Sequence, residues 1–232
     1  MSGINPGIIG WLKNSFIDYP GMVSSVLFFS GCNLRCPYCH NPLIVENKLP
    51  LVSFDEIKGY LAKRRAIIDG VVLSGGEPTI HESLLFVAET LRNDNFSIKL
   101  DTNGLNPDMI LKCNPDYLAV DIKTSFDRYH KLSCNKKDYR ERLTDTLEIV
   151  KKMGSQAEVR ITAAPGLVDE YAVKDIAENL KGVSNIYLQK FNPRVELLDS
   201  SYCDLEPIPP ETLRKYCDYI SSVTGVCKIR GE

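Results

Sequence analysis

Three cysteines, Cys32, Cys36 and Cys39, lie within eight positions in the run Gly31-Cys-Asn-Leu-Arg-Cys-Pro-Tyr-Cys-His-Asn-Pro42. Thiolates this close together on one loop bind soft metals. An iron–sulfur cubane normally takes four cysteines, and structural zinc takes four Cys or His ligands. Three thiolates leave one iron of a cubane without a protein ligand, and an open metal position is where a substrate can bind. Zinc is the competing reading, but it wants a fourth ligand, and His40 is poorly placed to share a metal with the adjacent Cys39.

The elements around this loop follow from periodicity. Ser25–Phe29 predicts a strand running directly into the cysteine loop. Ser53-Phe-Asp-Glu56 matches a capping box opening a helix with Ile57, Tyr60 and Leu61 on one face. Gly70–Ser74, Phe96–Leu100, Tyr117–Ile122, Glu158–Thr162 and Asn185–Gln189 predict five more strands. Helical stripes fall between them: Leu84, Val87, Ala88 and Leu91; Leu143, Leu147 and Val150; Val173, Ile176, Ala177 and Leu180. Pro210 suits the first turn of a last helix through Leu213 and Ile220. Six strand–helix alternations imply right-handed crossovers and an α/β fold, a partial (βα)6 TIM-type barrel with a parallel sheet. One domain over 1–232 is expected, its core at about 15–194 and a helix and final strand over 195–232.

Composition limits what such a domain does. The chain has 232 residues, 28 Lys+Arg against 30 Asp+Glu, a formal charge of −2 and 44% hydrophobic residues. That length suits one large α/β domain, and no basic excess points to nucleic acid. No apolar stretch reaches the length of a membrane span, and Met1–Gly7 lacks the features of a signal peptide. A cytoplasmic location is expected, where eight cysteines mean metal or redox chemistry rather than a disulfide framework. Cys113, Cys134, Cys203, Cys217 and Cys227 show no paired spacing; Cys217 lies on an apolar helical face with Leu213, Tyr216 and Ile220.

Polar motifs sit at the carboxyl ends of the predicted strands, where active sites gather in such folds. In Ser74-Gly-Gly-Glu-Pro78, two glycines let backbone carbonyls approach a ligand closely, and carbonyls suit an ammonium. Asp101-Thr-Asn-Gly104 and Asp121-Ile-Lys123 end the third and fourth strands; in isolation each is a turn or a surface ion pair. Arg160 lies on the fifth strand. Of the three histidines, His81 and His130 are expected at the surface or at helix starts.

The cysteine spacing resembles the C-x3-C-x-Φ-C signature of the radical S-adenosylmethionine superfamily, with Tyr38 as the aromatic Φ. The resemblance implies a [4Fe–4S] cluster on Cys32, Cys36 and Cys39 whose open iron chelates S-adenosylmethionine, with one electron releasing methionine and a 5′-deoxyadenosyl radical. The protein's part is to position the cofactor and exclude water. By the same resemblance, Gly75, Gly76 and Glu77 hold the methionine amino group, and Lys123 lies near the carboxylate or ribose. Tyr38, His40 and Asn103 fall beside the cofactor. Arg160 contacts a ribose or carboxylate, or else forms a buried structural ion pair. Asp101, Thr102 and Asp121 would surround a monovalent cation, which hard oxygen ligands suit.

Within the superfamily, the D-T-N-G and D-x-K motifs and the leading segment Asn14-Ser-Phe-Ile-Asp-Tyr-Pro-Gly21 resemble the glycyl-radical-enzyme activases. The likeness runs from Ser15 to about Arg194. No cysteine occurs in the 34 residues between Cys39 and Ser74, which is similar to single-cluster members. Asp18-Tyr-Pro-Gly21, Cys39-His-Asn-Pro42 and Leu188-Gln-Lys-Phe-Asn-Pro193 look like the long-form activases of anaerobic ribonucleoside-triphosphate reductase. The implied partners are that glycyl radical enzyme and an electron donor of flavodoxin or ferredoxin type. Pyruvate formate-lyase activating enzymes are the runner-up; their sixth strand ends in an L-P-Y-H-like segment, whereas Leu188–Phe191 has no histidine, which leaves the ribose contact unassigned with Gln189 as a candidate. The rival classes are a radical enzyme acting on a small molecule, such as a deazaguanine-type synthase, and a zinc-binding module.

Overall fold

Strands and helices alternate through the residues described by the computed structural model, 6–135 and 137–231; residues 1–5, part of the stretch expected to lack a signal peptide, lie outside them. The chain forms two compact units. The first holds residues 6–33, Leu43–Thr102 and Asp108–Leu118, and the second holds Leu34–Pro42, Asn103–Pro107 and residues 119–231. The division falls inside the cysteine loop, so Cys32 belongs to the first unit and Cys36 and Cys39 to the second.

The first unit begins with a strand that periodicity did not predict. β1 (Ile8–Ser15) pairs antiparallel with β2 (Ser24–Phe29), with irregularities between Ile8 and Gly10 and between Leu12 and Ser15. Those interruptions, with Gly10 inside the strand, break the period-two pattern a sequence reading depends on. The short helix α1 (Pro42–Val45) follows the cysteine loop. α2 (Phe54–Lys63) starts at the expected capping box, Ser53 Oγ accepting from the Glu56 N–H at 3.3 Å. Such a cap contributes about 1 kcal/mol.

β3 (Gly70–Gly75) runs parallel to β2, and β4 (Ser97–Thr102) parallel to β3, with α3 (Ser83–Asn93) between them. The predicted stripe of Leu84, Val87, Ala88 and Leu91 is the buried face of α3. α4 (Pro107–Cys113), too short to display a helical period, was not expected. β5 (Tyr117–Ile122) has the predicted bounds. At the amino-terminal end of these strands Tyr19, Val26, Val72 and Tyr117 form a small apolar cluster. A Cβ on Gly70 would fall 2.7 Å from the Tyr19 ring, so only glycine lets that ring close over the strand.

In the second unit α5 (Tyr139–Met153) buries Leu143, Leu147 and Val150 as expected. β6 (Ala157–Ala163), β7 (Ile186–Lys190) and β8 (Lys228–Arg230) are parallel neighbours in that order. α6 (Glu170–Asn179) is capped by Asp169, and α7 (Pro210–Thr224) opens on Pro210 and closes at Gly225. Arg230 on β8 grips Glu158 on β6 through two bonds of 3.0 and 2.9 Å and lies over the Tyr187 ring of β7. One guanidinium thus ties three strands together, and it gives the buried Glu158 carboxylate the charge partner it requires. Cys217 is buried among Leu213 and Ile220 as expected, yet its sulfur lies 2.8 Å from that of Cys227. The two were expected to be unrelated; the chain reversal at Gly225 brings them together.

Candidate functional site

In the first unit the cysteine loop and the Gly-Gly-Glu turn form one piece. Both leave the carboxyl ends of neighbouring parallel strands, β2 and β3. Gly76 N–H donates to the Phe29 carbonyl at 2.9 Å, and Glu77 N–H donates to the Gly31 carbonyl at 2.9 Å. A Cβ on Gly76 would fall 1.7 Å from the Gly31 oxygen, and one on Gly75, at φ +118°, would fall 2.5 Å from the backbone of Phe29. The glycines therefore seat the turn directly against the residue preceding Cys32. His81 lies at a helix start as expected, two residues before α3, and also hydrogen-bonds the Ser30 carbonyl through Nε2 at 2.7 Å. It latches the start of the cysteine loop, a contact across 51 residues that no local pattern could signal.

Glu77 is fully buried. Its Oε1 accepts from the Thr79 N–H at 3.0 Å, the Thr79 hydroxyl at 2.6 Å and the Thr102 hydroxyl at 2.7 Å. Its carboxylate thus braces the turn and ties it to the end of β4. Asp101 accepts from Ser74 Oγ at 3.2 Å on one oxygen and from Lys99 Nζ at 2.6 Å on the other. Lys99, absent from the residues singled out in the sequence, is buried beside it.

In the second unit a turn joins Cys36 and Cys39, the Cys39 N–H donating to the Cys36 carbonyl at 3.0 Å. The loop is pinned from outside itself: Arg35 N–H donates to Leu132 O, Leu198 N–H to Cys39 O and Asp199 N–H to Pro37 O. The segment after Arg194 therefore supports the cysteine loop, although nothing in its sequence stood out. Tyr38 is buried and its hydroxyl has no hydrogen-bond partner. Burial, then the neighbouring Cys36 and Asp121, push that hydroxyl far above its ordinary range. His40 keeps an exposed face, yet loss of water lowers its pKa; a bond to the Asn192 backbone opposes the shift, and the Lys123 charge adds to it. Asn103 accepts from the Leu105 N–H at 3.1 Å, shaping the turn after β4.

At the end of β5, Asp121 receives Arg160 Nε at 2.7 Å on one oxygen and Lys123 Nζ at 3.0 Å on the other. Arg160 thus sits in an ion pair, one of its two expected roles. Burial alone would raise the Asp121 pKa, but the two cations outweigh it and hold the group well below the usual carboxylate range. Burial likewise works against the charge on Lys123, and Asp121 reverses that effect, so its pKa is raised. A depressed carboxylate contributes stability above its unfolded pKa, about 3.9, and loses it as pH falls below that value. Asp121→Asn should cost about 2 kcal/mol at neutral pH, and the gap between variant and wild type should narrow below about pH 4. Urea unfolding midpoints between pH 6 and pH 3 check this; a constant gap would rule out the pairing.

No disulfide joins any of the eight cysteines; Cys36 is buried, and Cys32 and Cys39 are half-buried. Among the described residues no three His, Cys, Asp or Glu side chains converge as preformed metal ligands. The case for a cluster rests on the donors themselves: three thiols on one loop, a glycine turn seated against it, and an unpartnered buried hydroxyl between the second and third cysteines. Those residues fit a cluster with S-adenosylmethionine. The oxygen donors expected around a monovalent cation do not fit one. At the two carboxylates among them, Asp101 is matched by Lys99 and Asp121 by Arg160 and Lys123.

Comparison with known proteins agrees with this chemistry. The sequence profile of the Radical SAM superfamily matches residues 26–178. A Methanocaldococcus jannaschii protein, provisionally assigned as a glycyl-radical enzyme activating enzyme, is 31% identical over 96% of this chain and 98% of its own. The pyruvate formate-lyase-activating enzyme of Clostridium pasteurianum is 27% identical over 89% of this chain and 93% of its own. Among solved structures, QueE from Escherichia coli superposes with a TM-score of 0.57 at 14% identity, covering 97% of this chain and 93% of QueE. At that identity the likeness concerns the α/β fold alone.

Proposed function

The chain belongs to the radical S-adenosylmethionine superfamily, among the glycyl-radical-enzyme activating enzymes, and on that premise we propose that it installs a glycyl radical in an anaerobic ribonucleoside-triphosphate reductase. The observation that carries the reading is the interlock of the Gly75-Gly76-Glu77 turn with the residue preceding Cys32. Cys32, Cys36 and Cys39 would hold a [4Fe–4S] cluster. Cluster and S-adenosylmethionine together would supply one electron and, with methionine as the leaving group, a 5′-deoxyadenosyl radical that takes a hydrogen atom from a glycine Cα and ends as 5′-deoxyadenosine.

The chain's own residues bind and shield. Backbone carbonyls of the Gly75-Gly76 turn would take the methionine ammonium. Lys123 keeps N–H donors beyond the one on Asp121, which would serve a carboxylate. His40 lies next to Cys39, and loss of water there works against its charged form. No side chain acts as acid or base. A radical of this reactivity must be kept from water, so activase and partner enclose it jointly.

The choice of reductase over pyruvate formate-lyase rests on Leu188–Phe191, which lacks the histidine of the latter's activases; Phe191 is instead a buried core residue packed edge-on against Tyr202. The likeness to the Clostridium enzyme keeps pyruvate formate-lyase as the second reading. A flavodoxin or ferredoxin supplies the electron, in a cytoplasmic setting. Among the described residues no helix is long and apolar enough to cross a membrane.

Anaerobic reconstitution with iron and sulfide, then dithionite, S-adenosylmethionine and each candidate partner, tests the proposal. A glycyl-radical EPR doublet should appear on the reductase. A doublet on pyruvate formate-lyase alone would replace the partner. Formation of 5′-deoxyadenosine only with a small metabolite would end the activase reading.

A further inference from the structure

Both carboxylates that the family resemblance assigns to a monovalent cation are matched by cations of this chain. We infer that the protein carries its own cations at these positions, Lys99 at Asp101 and Arg160 with Lys123 at Asp121, and takes no sodium or potassium ion at either aspartate.

Lys99 and Asp101 lie two apart on β4, so their side chains leave the same face of the strand. The ammonium sits 2.6 Å from Asp101 Oδ1, with side-chain exposures of 3% and 13%. An ammonium buried that deeply needs a carboxylate, and one carboxylate balances it. A metal ion at Asp101 would stand against a positive charge that cannot leave. Ser74 Oγ already serves the second Asp101 oxygen, and the hydroxyl proton of Thr102 points to the buried Glu77. In the second unit Arg160 and Lys123 take one Asp121 oxygen each, at 2.7 and 3.0 Å. Both Asp121 oxygens thus already carry a tethered cation of the chain. Tethered cations have a fixed advantage over a diffusible ion: their place stays filled at any salt composition.

The test is thermal unfolding of the full chain in choline, sodium and potassium chloride at equal ionic strength. Needing neither cluster nor S-adenosylmethionine, it stands or falls separately from the proposed function. Wild-type curves should superimpose in the three salts. Lys99→Met removes the tethered charge and opens the place, so sodium or potassium should then stabilise the variant over choline. At ten times its Kd the ion would raise the folding constant about eleven-fold. If Lys99→Met does not fold, Lys99→Gln takes its place, with a polar end for Asp101. A wild type stabilised by sodium or potassium, with the effect lost in Asp101→Asn, would overturn the inference. So would a folded Lys99 variant indifferent to all three salts.

Discussion

Cys36→Ala is expected to abolish both cluster assembly and cleavage of S-adenosylmethionine. A cubane held by three thiolates has none to spare, and two leave half of its irons without protein ligands. Cys36 is the buried member of the set, joined to Cys39 by a single turn. Iron and sulfide content after anaerobic reconstitution should fall to background, and 5′-deoxyadenosine should fall with it. The fold should survive, because a buried cysteine acts as a small hydrophobe and alanine keeps much of its packing. Cys203→Ser, at an exposed thiol, should retain iron and product at wild-type levels. Product formation by Cys36→Ala at the wild-type rate would remove Cys36 from the ligand set.

Gly76→Ala is the second large effect, and it acts through geometry alone. The added methyl would overlap the Gly31 carbonyl, 1.7 Å from its oxygen and 2.6 Å from its carbon. A backbone carbonyl cannot swing aside as a side-chain tip can. Either the turn or the start of the cysteine loop must move, and the bonds from Gly76 to Phe29 and from Glu77 to Gly31 stretch or break. Two hydrogen bonds at about 1 kcal/mol each and overpacking of about 1–3 kcal/mol give a loss of about 3–5 kcal/mol. Urea unfolding measures that loss. Calorimetry on the reconstituted protein should show S-adenosylmethionine binding lost as well, since the turn would no longer lie against the loop. Gly59→Ala, in α2 with nothing within 4 Å of its Cβ, should raise stability slightly. Equal stability for Gly76→Ala and wild type would refute the interlock.

Cys36 and Gly76 stand in motifs visible in the sequence, and much of the fold is legible there too. The helix at Ser53, the stripe on α3 and the bounds of β5 follow from capping chemistry and hydrophobic period, which act over a few residues. β1 escaped because its pairing is interrupted at Gly10 and toward Ser15, and α4 because seven residues hold barely two turns. Lys99 escaped for another reason. A lysine inside a strand is normally a solvent-facing residue, and only the carboxylate two positions on, with burial on that face, turns it inward.

The number and spacing of the cysteines, the glycine pair and the acidic strand ends were settled by the order of residues, because each is a property of a few neighbouring positions. Which groups they meet was not. His81 on Ser30, Leu198 and Asp199 against the cysteine loop, Arg230 across three strands and the lysine beside Asp101 were decided when distant segments packed. A hydrogen bond or ion pair depends on separation in space, and a chain of amino acids specifies that separation only once it has folded.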